Sequence, residues 1–267
     1  MTDDPEFRHL AGRQALVRSD LSDLPVDDLW RDGVALPHAK GRAGVGLLEL
    51  GAGLRGVCRD YQRGGALGFL FPRSYLDRHR CERELHVLAE LQRCGIPVVT
   101  PLAALARRHM LLFFRLRLIT ELVDGALPLP TFLADRPELR GAAVEAAGKV
   151  VAQAFGAGLL HPDLHPDNLV ARDLDGVVEV RLLDLDRAKI GPGLEQHQED
   201  QMLLRMARYL RRHQTDLPVI GRAVDVLRFL AGMGLDQNAR RQTLARLRPL
   251  YALELRRHGL TDPALTV

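Results

Sequence analysis

The sequence predicts an α+β chain in two parts, strand-rich first and helical afterwards. Three observations predict it. Strand-like runs broken by turn residues fill residues 34–123, with a single helical stretch among them. From residue 139 onward the apolar residues recur at helical spacing. One hairpin pattern, at 169–185, interrupts those helices. Segregated elements of this kind favour α+β over an alternating, doubly wound sheet.

Residues 1–33 are polar and read as an irregular N-terminal extension with a short helix at 27–31. Gly41-Arg42-Ala43-Gly44-Val45-Gly46 leads into Leu47-Leu48-Glu49-Leu50, and Gly51-Ala52-Gly53 turns the chain back into 54–61, a glycine-punctuated hairpin. Over 75–94, Leu85, Leu88 and Leu91 step by three beside Val87, a helix ended by Gly95 and Pro97. Residues 98–106 and 110–123 read as two further strands. Beyond Asp124-Gly125 the texture changes: 139–158 is helical, with Val144, Ala147, Val151, Ala154 and Phe155 on one face. Asp175-Gly176 between apolar runs marks the hairpin. Helices are expected at 195–213, 219–232 and 236–258.

The composition is that of an ordinary globular chain: 267 residues, 46% hydrophobic and 27% charged. The net charge of +3 fits acidic substrates, an anionic membrane surface or an ordinary soluble enzyme. Only Lys40, Lys149 and Lys189 are lysines; the remaining positive charge is arginine. Cys58, Cys81 and Cys94 are odd in number with no close pair, which argues against a disulfide framework or zinc site and for a reducing compartment. No secretory signal is visible, and the most apolar stretch, 110–123, is too short to span a bilayer and carries Arg115 and Arg117. A cytoplasmic protein is the expectation. With 5% aromatics and no recognition motif, nucleic acid is not an expected partner.

The chemistry sits at the interruption, in His161-Pro162-Asp163-Leu164-His165-Pro166-Asp167-Asn168 and, one hairpin later, Leu182-Leu183-Asp184-Leu185-Asp186. Phosphoryl transfer requires a carboxylate to orient the acceptor hydroxyl and oxygen ligands to hold Mg²⁺ against the phosphates. An Asp followed five residues later by an Asn supplies one of each from a single turn, and a second Asp after a short hairpin can face them. The loop matches H-R-D-L-x-x-x-N at His161, Asp163, Leu164 and Asn168, and Asp184-Leu185-Asp186 stands where Asp-Phe-Gly would. Turn capping is the competing explanation for Asp163, Asp167 and Asn168, and two spaced matches in order outweigh it. Zinc binding by His161 and His165 is disfavoured by Pro162 and Pro166 and by the missing Glu of H-E-x-x-H.

From about Gly41 to His213 the chain resembles the protein-kinase-like superfamily. Within it, the chain looks like the lipopolysaccharide core kinases, in particular the 3-deoxy-D-manno-octulosonic acid (Kdo) kinases. That narrower resemblance rests on Arg59-Asp60-Tyr61-Gln62-Arg63-Gly64-Gly65, on Arg83-Glu84-Leu85 with Leu88-Ala89-Glu90-Leu91, on Gly95-Ile96-Pro97-Val98 and on Leu183-Asp184-Leu185-Asp186-Arg187-Ala188.

The resemblance implies a two-lobed protein-kinase-like fold. Residues 34–123 would be the strand-rich, nucleotide-binding N-lobe and 124–267 the helical, catalytic and acceptor-binding C-lobe, with ATP and Mg²⁺ between them. It implies Asp163 as catalytic base for a sugar hydroxyl, and Asn168 and Asp184 as Mg²⁺ ligands. Arg59 takes the place of the phosphate-contacting lysine, with Glu84 as its partner. Arginine keeps the charge and grips phosphate through two donors. Gly44 and Gly46 are candidates for a phosphate cradle or for a plain hairpin turn, and Glu121 and Val123 for backbone contacts to adenine.

The implied acceptor is Kdo-lipid A, reached at the cytoplasmic face of the inner membrane. Arg205, Arg208, Arg211 and Arg212, with Arg240, Arg241, Arg246 and Arg248, make the C-terminal helices basic; a solvated face and a docking site for anionic lipid both fit. Two other readings stay open: a kinase of another small-molecule or protein hydroxyl, and an inactive ATP-binding module. The stretch from Asp186 to Glu195 has no Ser, Thr or Tyr and no Ala-Pro-Glu, which counts against a regulated protein kinase.

Overall fold

The computed structural model describes residues 6–36, 44–62, 73–219 and 221–260. Lys40, Gly41–Ala43 of the glycine run and Arg63–Gly65 of the R-x-Y-x-R-G-G run lie outside them. The chain forms two compact units: Met1–Arg93 with Val99–Val123, and Cys94–Val98 with Asp124–Val267.

In the first unit, strands β1 (Phe7–Leu10), β2 (Ala15–Arg18), β3 (Val34–Ala35), β4 (Val45–Glu49), β5 (Arg55–Asp60), β6 (Pro101–Met110) and β7 (Phe113–Glu121) form one sheet in the order β1-β2-β6-β7-β5-β4-β3. Every pairing in it is antiparallel. The short helix α1 (Val26–Leu29) precedes β3, and α2 (Arg80–Arg93) packs on β6 and β7. Leu85, Leu88 and Leu91 are fully buried on α2, as their spacing predicts.

Within the stretch 1–33, expected to be an irregular extension, Phe7–Leu10 and Ala15–Arg18 are instead strands of the sheet. Ala15, Val17, Leu21 and Leu29 are buried in one cluster with Leu48, Leu50, Cys58, Leu102 and Ile119. The buried Arg117 fixes this packing, since its Nε donates to Asp60 Oδ1 (2.5 Å) and its Nη1 to the Leu29 and Arg31 carbonyls (3.1 and 2.7 Å). Among residues 6–33 the polar side chains concentrate in turns and hide two four-residue strands, too short to display a period.

The second unit holds β8 (Leu127–Pro128), β9 (Leu159–Leu160), β10 (Leu169–Leu174), β11 (Val177–Leu182) and β12 (Lys189–Ile190). Its helices are α3 (Leu129–Asp135), α4 (Arg140–Gly156), α5 (Gln196–Arg212), α6 (Ala223–Gly232) and α7 (Gln237–Arg257). β10 and β11 form the expected hairpin, with Asp175 and Gly176 both at positive φ (52° and 87°), as a two-residue hairpin turn requires. Pro97 accepts from Leu182 N–H (2.9 Å), which ties the segment Cys94–Val98 to β11.

Helices α4 and α6 cross at van der Waals distance through glycine. A Cβ on Gly148 would lie 2.0 Å from the Phe229 carbonyl oxygen, and one on Gly232 2.0 Å from that of Glu145. Beside this crossing Arg140 pairs with Asp225 (Nη2–Oδ2 2.6 Å), both largely buried. Burial pushes the Asp225 carboxyl up, but hydrogen bonds from Arg140 and from Arg222 N–H outweigh it and hold the group below its ordinary value. Helix α4, which packs on β11, is thereby tied to α6.

Candidate active site

In the first unit, Arg59 and Tyr61 are two residues apart and so face the same side, where α2 presents Glu84. Arg59 Nη2 lies 2.7 Å from both Glu84 carboxylate oxygens, and the Tyr61 hydroxyl donates to Oε2. The Glu84 side chain is 0% exposed and that of Arg59 25%. The guanidinium also sits 4.9 Å over the Tyr61 ring, and Arg80 lies over the same ring. Burial, then the Glu84 charge, pushes the Tyr61 phenol well above its ordinary value, so it stays a donor. Glu84 is thus desolvated but doubly satisfied.

The glycines separate. Gly46 lies inside β4, where a Cβ would stand 2.8 Å from Gly33 Cα; close approach of two backbones accounts for it. Gly44 is exposed just before β4 with open space around it. At the end of β7, Glu121 N–H donates to Thr100 O (2.8 Å) and Leu122 N–H to Arg55 O (2.9 Å). Val123 N–H makes no hydrogen bond among the described residues.

In the second unit the loop 161–168 is tied together around His161. Its Nδ1 accepts from Asp163 N–H (3.1 Å), so Nε2 carries the proton and donates to the Asp184 carbonyl (2.9 Å). Burial depresses the His161 pKa, which keeps the neutral tautomer this bridge needs. Asn168 is buried, its Oδ1 accepting from His165 N–H (2.9 Å), and its carbonyl accepts from Leu183 N–H (2.9 Å). The bonds of His161 and Asn168 therefore fix Asp163, Asn168 and Asp184 with respect to one another. Asp184 has φ 56°, a left-handed conformation that costs a non-glycine residue on the order of 1–2 kcal/mol. Such strain persists where surrounding bonds over-determine it, and it clusters at functional sites.

Helix α5 closes the loop from one side. Met202 accepts from His161 N–H, Tyr209 stacks on His165 (centroids 4.2 Å, planes 9° apart) and donates to Asp167, and Arg205 Nη1 pairs with Asp163 Oδ1 at 2.7 Å. The two histidines serve different neighbours, His161 bridging Asp163 and Asp184 and His165 stacking on Tyr209. Sequence reasoning missed Tyr61, Tyr209 and the special place of Arg205. The i, i+3/i+4 run of Met202, Arg205, Met206 and Tyr209 marks one helix face, but nothing local shows that the catalytic loop lies against it.

The family model described as "Lipopolysaccharide kinase (Kdo/WaaP) family" matches residues 32–229. The chain belongs to that family. A 3-deoxy-D-manno-octulosonic acid kinase of Vibrio parahaemolyticus is 28% identical to this kinase over 183 residues, 67% of this chain and 72% of that protein. The kinase of the same name from Xanthomonas oryzae pv. oryzae is 33% identical over 181 residues, 66% of this chain and 69% of that one. Among solved structures, WaaP in complex with acyl carrier protein superposes with a TM-score of 0.57 at 18% identity, covering 90% of this chain and 92% of that one. That likeness supports the expected kinase-like α+β fold. The chain is accordingly an ATP-dependent phosphotransferase of the lipopolysaccharide core kinase type.

Proposed function

We propose that this kinase transfers the γ-phosphoryl group of ATP to a hydroxyl of Kdo in Kdo-lipid A, with Asp163 as the base. The observation that carries the reading is the His161 bridge, which holds Asp163 and Asp184 in one constellation. In the first unit, the nucleotide-binding lobe, Arg59 contacts the phosphates while Glu84 and Tyr61 hold its guanidinium. Gly44 borders the phosphate loop, Gly46 shapes the strand behind it, and the Glu121 carbonyl and Val123 N–H take the adenine edge.

The second unit is the catalytic, acceptor-binding lobe. A buried amide oxygen and a carboxylate are hard oxygen donors of the kind Mg²⁺ takes, and Asn168 and Asp184 fit that ion. Bound there, Mg²⁺ neutralises charge that develops on the phosphate oxygens. Asp163 orients the acceptor hydroxyl and receives its proton. The hydroxyl oxygen forms a bond to the γ-phosphorus as the bond to the β,γ-bridging oxygen breaks, releasing ADP. The acceptor is membrane-borne, so the kinase works at the cytoplasmic face of the inner membrane. No described helix is long and apolar enough to cross a membrane, which fits peripheral attachment.

The experiment is phosphate transfer from γ-labelled ATP with Mg²⁺ to Kdo-lipid A, beside lipid A lacking Kdo. Label on the first and not on the second is expected. Label on neither, with ATP still bound, overturns the acceptor.

A further inference from the structure

Among the described residues Arg205 is the side chain that pairs with the Asp163 carboxylate, and the pair is open to water: 38% of the arginine and 68% of the aspartate side chain are exposed. Exposed ion pairs contribute on the order of 0.2–1 kcal/mol, so stability does not explain an arginine at this spot. A guanidinium resting on Asp163 Oδ1 also competes with the hydroxyl that the same carboxylate has to orient. The arrangement makes sense when something else takes the guanidinium as the acceptor arrives.

Arg205 does not stand alone. Arg208 and Arg212 follow at steps of three and four on α5, a line spanning about 10 Å along the helix. Arg208 is committed to Glu254 and to His258 Nε2 (2.9 Å) on and beside α7. Arg212 is exposed and has no ion-pair partner among the described residues. Burial, and then the charges of Arg205 and Arg212, hold the Arg208 pKa below its ordinary value. The line thus carries more positive charge than Asp163 and Glu254 balance, beside the residue that meets the acceptor.

We infer that Arg205 is the binding residue for a carboxylate on the acceptor sugar, releasing Asp163 to the hydroxyl as it takes that carboxylate. This rests on the acceptor proposed above. Kdo is a sugar acid, so its carboxylate and its hydroxyls lie within one ring's width of each other. That matches an arginine 2.7 Å from the proposed base and disfavours the more distant phosphates of lipid A as its ligand. The planar guanidinium fork suits a carboxylate, which it grips through two parallel hydrogen bonds.

Two measurements on the full chain test this. The first compares phosphate transfer by wild type, Arg205→Ala and Arg205→Lys to Kdo-lipid A and to its Kdo methyl ester. Arg205→Ala is expected to lose about 10- to 100-fold in kcat/KM for Kdo-lipid A, mostly as a raised acceptor KM, with the KM for ATP unchanged. The methyl ester is expected to be a poor substrate for wild type and Arg205→Ala alike, and Arg205→Lys to recover part of the loss. Equal losses on both acceptors, no loss on either, or a loss that follows the lipid A phosphates overturns the inference.

The second measurement is saturation-transfer NMR with free Kdo and no nucleotide. Kdo signals are expected with wild type and not with Arg205→Ala; binding that survives the substitution, or no binding to wild type, overturns the inference. If wild type transfers no phosphate to Kdo-lipid A yet binds Kdo through Arg205, the proposed function falls and the carboxylate site stands.

Discussion

In the first unit the cation assigned to the nucleotide, Arg59, leans on a carboxylate with no exposed surface, whereas in the second the proposed base, Asp163, is mostly exposed and paired with an arginine open to water. Glu84 has lost its hydration and must keep both Arg59 and Tyr61. Asp163 is placed by its main chain, through His161, and its side chain stays exchangeable. The difference suits the proposed tasks: a phosphate-gripping guanidinium benefits from being immobile, while a base has to trade partners in every turnover. The second unit spends its own buried ion pair, Arg140–Asp225, on joining two helices.

The contrast is broken most visibly at Arg140. Arg140→Ala leaves the buried Asp225 carboxylate without its guanidinium and with the Arg222 N–H bond alone, and a loss of about 3 kcal/mol of folding stability is expected in denaturant unfolding near pH 7. The kcat/KM of the molecules that remain folded should stay within about twofold. The sign with pH is set by the Asp225 carboxyl, which the fold holds below its ordinary 3.8. Its contribution is complete above that value and disappears as pH falls through the lower folded-state pKa. The gap between wild type and variant should therefore narrow below about pH 4. A gap that is flat in pH removes the ion pair as its cause.

Glu84→Gln is expected to act in the opposite sense. The amide keeps the shape and one acceptor but not the charge, so kcat/KM for ATP should fall by roughly 30- to 150-fold, about 2–3 kcal/mol. Unfolding should change less than for Arg140→Ala. Tyr61→Phe removes one hydroxyl from a carboxylate that keeps Arg59. The expected effect is about fivefold, near 1 kcal/mol, read as a raised KM for ATP. If Tyr61→Phe matches Glu84→Gln in size, the hydroxyl and not the guanidinium holds Glu84.

Legibility in the sequence followed how local each signal was. The α2 leucines and the Asp175-Gly176 turn are each written within a stretch that one element or turn spans, and the structure has them as a buried helix face and a hairpin turn; His161, Asp163, Asn168 and Asp184 are spaced across one hairpin, and hydrogen bonds of His161 and Asn168 join them. The β1–β2 hairpin escaped because Ala15, Leu16 and Val17 are only three apolar residues, whose burial depends on β6 far along the chain. Gly46 reads in the sequence as a phosphate cradle or a plain hairpin turn, and in the structure it faces Gly33, thirteen positions away. In the sequence Arg205 is one of eight arginines on basic helices; its partner Asp163, 42 residues earlier, is brought to it by the fold alone.

The most direct test of the proposed chemistry is Asp163→Asn, assayed for label transfer from γ-labelled ATP to Kdo-lipid A beside equilibrium ATP binding and thermal unfolding. Transfer is expected to fall by about 10²- to 10⁴-fold with binding and unfolding unchanged; transfer near the wild-type rate contradicts Asp163 as the base.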